Sequence, residues 1–130
     1  VYTPSTRTLA YSGGGHPPPL LMSAAASGDE TVIKDLEGPD PPIGIMPDVP
    51  FSTLRTKIAP GSSLLLFSDG VTEIFVEPGV LWGAAGLTQF VRSHSAADPK
   101  FLDDLHASVM SIDRRDVLAD DYSTVLARFT

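Results

Sequence analysis

Leu64-Leu65-Leu66-Phe67-Ser68-Asp69-Gly70-Val71-Thr72-Glu73 is the stretch on which the fold turns. Four consecutive large apolar residues after the Pro60-Gly61 turn suit a strand buried on both faces, because a half-exposed strand would alternate apolar with polar. Asp69 stands at the end of that run, and Gly70 lets the backbone turn at once. The pattern predicts a central strand over Leu64 to Phe67 with a carboxylate projecting from its rigid end. Asp-Gly between apolar runs is also a common short hairpin signal, and the segment alone fits either reading.

Upstream, Thr8 to Ser12 reads as a short strand entering Gly13-Gly14-Gly15-His16-Pro17-Pro18-Pro19, a sharp turn. Leu20 to Met22 and Thr31 to Lys34 are extended segments flanking a small, polar stretch, the pattern of a loose hairpin. Residues 38–50 carry five prolines, so they hold neither a helix nor a central strand and must cross the surface as an irregular loop. Phe51 to Ile58 alternates and needs a sheet to join, which argues against a domain boundary at the proline loop.

Downstream, Leu81, Trp82, Ala85, Phe90 and Val91 recur at helical spacing through Ser93. A second helix is expected with Asp98 as N-cap and Pro99 at its first position. Its core face is Leu102, Leu105, Val109 and Ile112, with Asp103 and Asp104 leading and Arg114 and Arg115 trailing toward solvent, as the helix dipole favours. Tyr122 to Phe129 closes the chain as a strand. Strands, a helix pair, then a strand make an α+β pattern rather than alternating βαβ units.

The 130 residues are 42% apolar and 19% charged, which suits one folded domain. A formal net charge of −7 with only nine Lys and Arg opposes nucleic-acid and anionic-membrane roles. No apolar run approaches the length of a membrane-spanning helix. The Val1 start suggests a cut or processed piece. Without cysteine there is no disulfide, zinc-thiolate site or thiol nucleophile, and a cytoplasmic setting is expected.

A second acidic segment, Asp120-Asp121-Tyr122-Ser123-Thr124, precedes the last strand. Adjacent carboxylates repel without a cation, although a pair of acids at a strand edge also serves to blunt that edge. Taken with Asp69, these are hard oxygen donors at strand ends, which suit Mg²⁺ or Mn²⁺ rather than zinc or copper. His16, His94 and His106 have no ligand spacing. Gly13 to Gly15 lacks the helix N-terminus that a phosphate cradle needs, and Trp82 with Phe90 reads as core rather than as a platform for bases.

The order Tyr11-Ser12-Gly13-Gly14-Gly15-His16-Pro17-Pro18-Pro19-Leu20-Leu21, Pro42-Ile43-Gly44, Leu64 to Glu73 and Asp120 to Thr124 resembles the C-terminal part of PPM-type metal-dependent serine phosphatase domains of the sporulation stage II protein E and RsbU-like kind. Ile43 and Ser68 stand where that family usually has Leu and Thr. The resemblance implies part of an αββα sandwich of mostly antiparallel sheets with a helix pair, the family's N-terminal strands being absent. It implies Asp69 and Asp120 as metal ligands, with Gly70, Thr72 and Asp121 shaping the site. Two Mn²⁺ or Mg²⁺ ions serve the intact family site, where metal-activated water attacks phosphorus in line. The family's earlier half supplies a bridging aspartate in an Asp-x-x-Gly-His-Gly segment that this chain lacks, so the chain alone is expected to be half a site. The implied function is a protein serine/threonine phosphatase in bacterial sigma-factor regulation, acting on a phosphorylated anti-sigma factor antagonist. The alternative is a non-catalytic scaffold or fragment that binds a protein partner. Uncovered strand edges and apolar faces predict instability or self-association in isolation.

Overall fold

The structure is a computed structural model that describes residues 1–24, 31–113 and 120–130. Among the described residues, nine strands and two α-helices follow the order β1 (Tyr2–Thr3), β2 (Thr8–Tyr11), β3 (Leu20–Ala24), β4 (Thr31–Asp35), β5 (Leu54–Lys57), β6 (Ser63–Phe67), β7 (Phe75–Glu77), β8 (Val80–Leu81), α1 (Gly83–Ser93), α2 (Phe101–Asp113) and β9 (Thr124–Arg128). The α+β expectation holds.

The continuous apolar run forms a central strand because both of its faces are covered. β6 lies between β3 and β9 in a four-stranded antiparallel sheet ordered β4-β3-β6-β9. Leu65 and Phe67 join Leu20 and Met22 against the helices, and Leu64 and Leu21 pack on the opposite side with Leu9, Leu36 and Ile58. That second cluster bonds the sheet to a three-stranded one ordered β1-β2-β5. The layers are therefore helix pair, four-stranded sheet and three-stranded sheet. Each fully buried Leu, Val or Phe removed from water contributes about 1.5–3 kcal/mol before conformational entropy is charged.

Both helices form near the expected spans, but Ala85 of the face expected for α1 is exposed and Leu87 is buried instead. Leu87, Phe90 and Val91 face the sheet from α1, and Phe101, Leu105 and Val109 do so from α2. Phe90 and Phe101 meet edge to face at 5.6 Å between centroids, which locks the pair. The second helix starts two residues later than expected. Asp98 still accepts a bond from the Lys100 N–H at 2.8 Å, but residues 98–100 form turns and Phe101, not Leu102, leads the buried face. Leu102 and Ile112 pack at its margin. Asp103 and Asp104 are exposed as expected, and Arg114 and Arg115 lie outside the described residues.

Leu81 departs from the sequence reading. It belongs to β8 in a short β7–β8 hairpin and is half exposed, and the helix begins at Gly83. Apolar spacing over so short a run does not separate a helix start from a strand. The proline loop, residues 38–50, contains neither helix nor strand. The expected strand over residues 51–58 shortens to β5, and Thr31 to Lys34 pairs with β3 as the hairpin reading requires. The tip of that hairpin, residues 25–30, lies outside the described residues.

Uncovered apolar surface sits at Ile43, Ile45 and Met46, at Phe75, Val80 and Leu81, and at Val125 on the edge strand β9. The outer face of the three-stranded sheet is instead polar, with Arg55 and Lys57 exposed opposite Ala10 and Thr8.

Candidate metal centre

Asp-Gly does not make a hairpin here. Beyond Phe67 the chain enters one turn of 3₁₀ helix, Asp69–Val71, whose Val71 is fully buried in the helix-side core. Ile74, equally buried, anchors the far end of the segment. The Asp69 carbonyl accepts the Thr72 and Glu73 N–H groups, both at 2.8 Å, and the Thr72 hydroxyl at 3.2 Å. One carboxylate oxygen of Asp69 accepts the Gly70 N–H at 3.1 Å. The Thr72 carbonyl in turn accepts the Gly83 N–H at 3.0 Å, tying the turn to the start of α1.

The second acidic segment arrives through the β6–β9 ladder. Phe67 is opposite Thr124, and the Ser68 N–H extends the ladder by one bond to the Ser123 carbonyl at 3.0 Å. Antiparallel pairing thus carries residues 120–123 back alongside residues 68–71. The approach is close enough that a Cβ on Gly70 would collide with the Asp121 carbonyl oxygen and sit 3.0 Å and 3.2 Å from the carbonyl carbons of Asp121 and Asp120. Glycine is required there for space. The Asp121 N–H donates to a carboxylate oxygen of Asp120 at 2.7 Å, which fixes that side chain.

Asp69 and Asp120, distant in sequence, therefore meet at one end of the sandwich. A carboxylate oxygen from each, with one from Glu73, lies within 4.8 Å of the others, and all three residues are exposed. Glu73 lies within the sequence motif, which by itself assigns it no role. The signal for it was its position four residues after Asp69, which one turn of helical winding converts into the same side of the chain. Gly70 and Thr72 are the neighbours described above, and Asp121 contributes its backbone through the carbonyl beside Gly70. Among the described residues no histidine joins the group, and His16 instead bonds its neighbour's Pro17 carbonyl at 2.8 Å.

Three carboxylates without imidazole or thiolate make an all-oxygen donor set, and exposure leaves room for water ligands. That chemistry fits Mg²⁺ or Mn²⁺. Mutual repulsion among the three charges points the same way. Beside the acids an open cleft of about 1000 Å³ runs between the sheets, lined by Tyr11, Leu64 and Leu66 and by residues 13–19, with Ser68 and Asp69 at its rim.

Solved structures share this architecture. The SiaA-PP2C domain of Pseudomonas aeruginosa superposes with a TM-score of 0.73 at 21% identity, over 96% of this chain and 48% of that one. The phosphatase domain of SpoIIE from Bacillus subtilis superposes with a TM-score of 0.70 at 17% identity, over 99% and 54%. A Mycobacterium tuberculosis structure holding RsbU and RsbW domains gives 0.63 at 24% identity, over 96% and 33%. The chain spans about half the length of the first two domains, so its three layers correspond to part of the PP2C fold. No curated protein matches it in sequence. The stage II sporulation protein E pattern matches residues 1–130 in full, and the chain belongs to the SpoIIE family.

Proposed function

We propose that residues 1–130 are the C-terminal portion, in one domain, of a PPM-type metal-dependent protein serine/threonine phosphatase. In this reading Asp69 and Asp120 hold a Mn²⁺ or Mg²⁺ ion, with Glu73 as a further carboxylate. The observation that carries the reading is the convergence of those three carboxylates at a strand end in a chain of this family. A phosphorylated serine brings a charge of about −1.5 to −2, and an uncompensated acidic cluster would repel it. When bound, the metal supplies Lewis acidity, an activated water and neutralisation of charge at phosphorus. The chain's own part is positional. The 3₁₀ turn aims Asp69 and Glu73, the Asp121 N–H orients Asp120, Gly70 lets the two segments close, and Thr72 ties the turn to the start of α1.

The substrate that fits is a phosphorylated regulatory protein of the anti-sigma factor antagonist type, in a cytoplasmic signalling system. The likeness to a structure with RsbU and RsbW domains supports that choice. The test is hydrolysis of a generic aryl phosphate with Mn²⁺, for the wild-type chain and for Asp69→Asn and Asp120→Asn. Metal-dependent turnover abolished by either substitution supports the reading, and turnover that survives both overturns it. Mn²⁺ binding that needs Asp69 and Asp120 but gives no turnover fits both a fragment that lacks the bridging aspartate and the non-catalytic scaffold, and restoring the family's Asp-x-x-Gly-His-Gly segment decides between them.

A further inference from the structure

We propose that Ser68 is a positioning residue, a hydroxyl clamp that sets the separation of the two acidic segments. The inference rests on the metal-site reading above and adds a role for a residue that holds no metal itself. The Ser68 Oγ–H donates to the Asp121 carbonyl at 2.7 Å, and the same oxygen accepts the Ser123 N–H at 2.9 Å. A hydroxyl has one donor and two acceptor sites, so both bonds form at once.

The arrangement has a clear physical cause. The β6–β9 ladder ends with the bond from the Ser68 N–H to the Ser123 carbonyl, because the chain then winds into the 3₁₀ turn. Past that point the Asp121 carbonyl and the Ser123 N–H both take their hydrogen bonds from the Ser68 side chain and not from the backbone of the β6 segment. Ser68 precedes Asp69 and Asp121 follows Asp120, so the clamp stands one residue from each proposed ligand. The bare Gly70 Cα also lies against the same Asp121 carbonyl, so the oxygen is limited by both a donor and a close backbone contact. Side chains bonded directly to metal-ligating groups change affinity by about 10–100-fold when removed, and Ser68 acts one residue from each ligand, through the backbone, so the low end of that range applies.

The experiment uses the 130-residue chain in two states. In metal-free protein, amide hydrogen exchange is followed at Ser123 and, as a remote reference, at Leu105. With metal, Mn²⁺ affinity is measured by titration for wild type, Asp69→Asn, Ser68→Ala and Ser68→Thr. Ser68→Ala is expected to speed Ser123 exchange at least about tenfold with Leu105 unchanged, and to weaken Mn²⁺ about tenfold. Ser68→Thr keeps the hydroxyl and is expected to restore both. Unchanged Ser123 exchange in Ser68→Ala overturns the clamp, as does unchanged Mn²⁺ affinity where wild-type binding depends on Asp69. Wild-type protein with no Asp69-dependent binding defeats the metal reading instead, and Ser123 exchange still decides the clamp. Should Ser68→Ala not fold, a folded Ser68→Thr that loses Ser123 protection overturns it.

Discussion

Gly70→Ala isolates the steric half of the site. Gly70 has no positive φ, so alanine meets no backbone strain and its effect comes from the added methyl alone. That methyl collides with the Asp121 carbonyl oxygen, a backbone atom that no rotamer change can move aside. The carbonyl must shift by about 1 Å to regain ordinary contact, which distorts its 2.7 Å bond from Ser68. Overpacking costs about 1–3 kcal/mol and the weakened hydrogen bond about 0.5–1.5 kcal/mol. The loss of unfolded-state freedom returns about 0.4–1 kcal/mol. The net is a destabilisation of about 2 kcal/mol, or roughly 6–10 °C in Tm for a domain of this size. Urea denaturation followed by circular dichroism reads it as a lower midpoint at unchanged slope. Because Asp120 moves with Asp121, Mn²⁺ affinity falls together with stability. A variant within about 0.5 kcal/mol of wild type, with Mn²⁺ affinity intact, would refute the claim that close approach at Gly70 builds the site.

Glu73→Gln is expected to leave metal-free stability unchanged or slightly raised, since it removes one of three mutually repelling charges, and to reduce the Tm gain on adding Mn²⁺. Leu105→Ala, at a fully buried position where α2 meets the sheet, is expected to cost about 2–5 kcal/mol in urea denaturation. The Ser52 N–H and the Ser12 hydroxyl hold the Asp40 pKa below the ordinary carboxylate value of 3.8. The folded form therefore releases this proton more readily than the unfolded chain, and the contribution is complete above that value and disappears as pH falls through the lowered one. Ser52 amide exchange should accelerate in that acid window, and Asp40→Asn should flatten the response. Val125→Lys, on the exposed edge strand β9, is expected to reduce concentration-dependent self-association in sedimentation velocity.

Local chemistry was enough to place several features from the residues alone. Four apolar residues in a row demanded a strand covered on both sides, and β6 has that cover. Five prolines ruled regular structure out of residues 38–50, because proline lacks the N–H that a helix or a ladder needs. The amphipathic period of α2 was visible, as was the presence of acids at the ends of two strands, whereas of the face expected for α1 only Phe90 and Val91 are buried.

Only the tertiary structure decided what those acids meet. The pairing of Phe67 with Thr124 is a long-range register, and a shift of one residue would turn Asp120 away from Asp69. Glu73 enters the group because the Asp-Gly step winds into a 3₁₀ turn rather than closing a hairpin, two outcomes that the same dipeptide allows. Ser68 looked like a conservative variant within a motif. Its two partners lie at Asp121 and Ser123, and a hydrogen bond across that separation leaves no periodic trace in sequence. The β7–β8 hairpin stayed hidden for a related reason: its strands are too short for apolar spacing to tell them from the helix that follows. Sequence set which groups stand at the strand ends, and strand register with backbone clearance set how close they come.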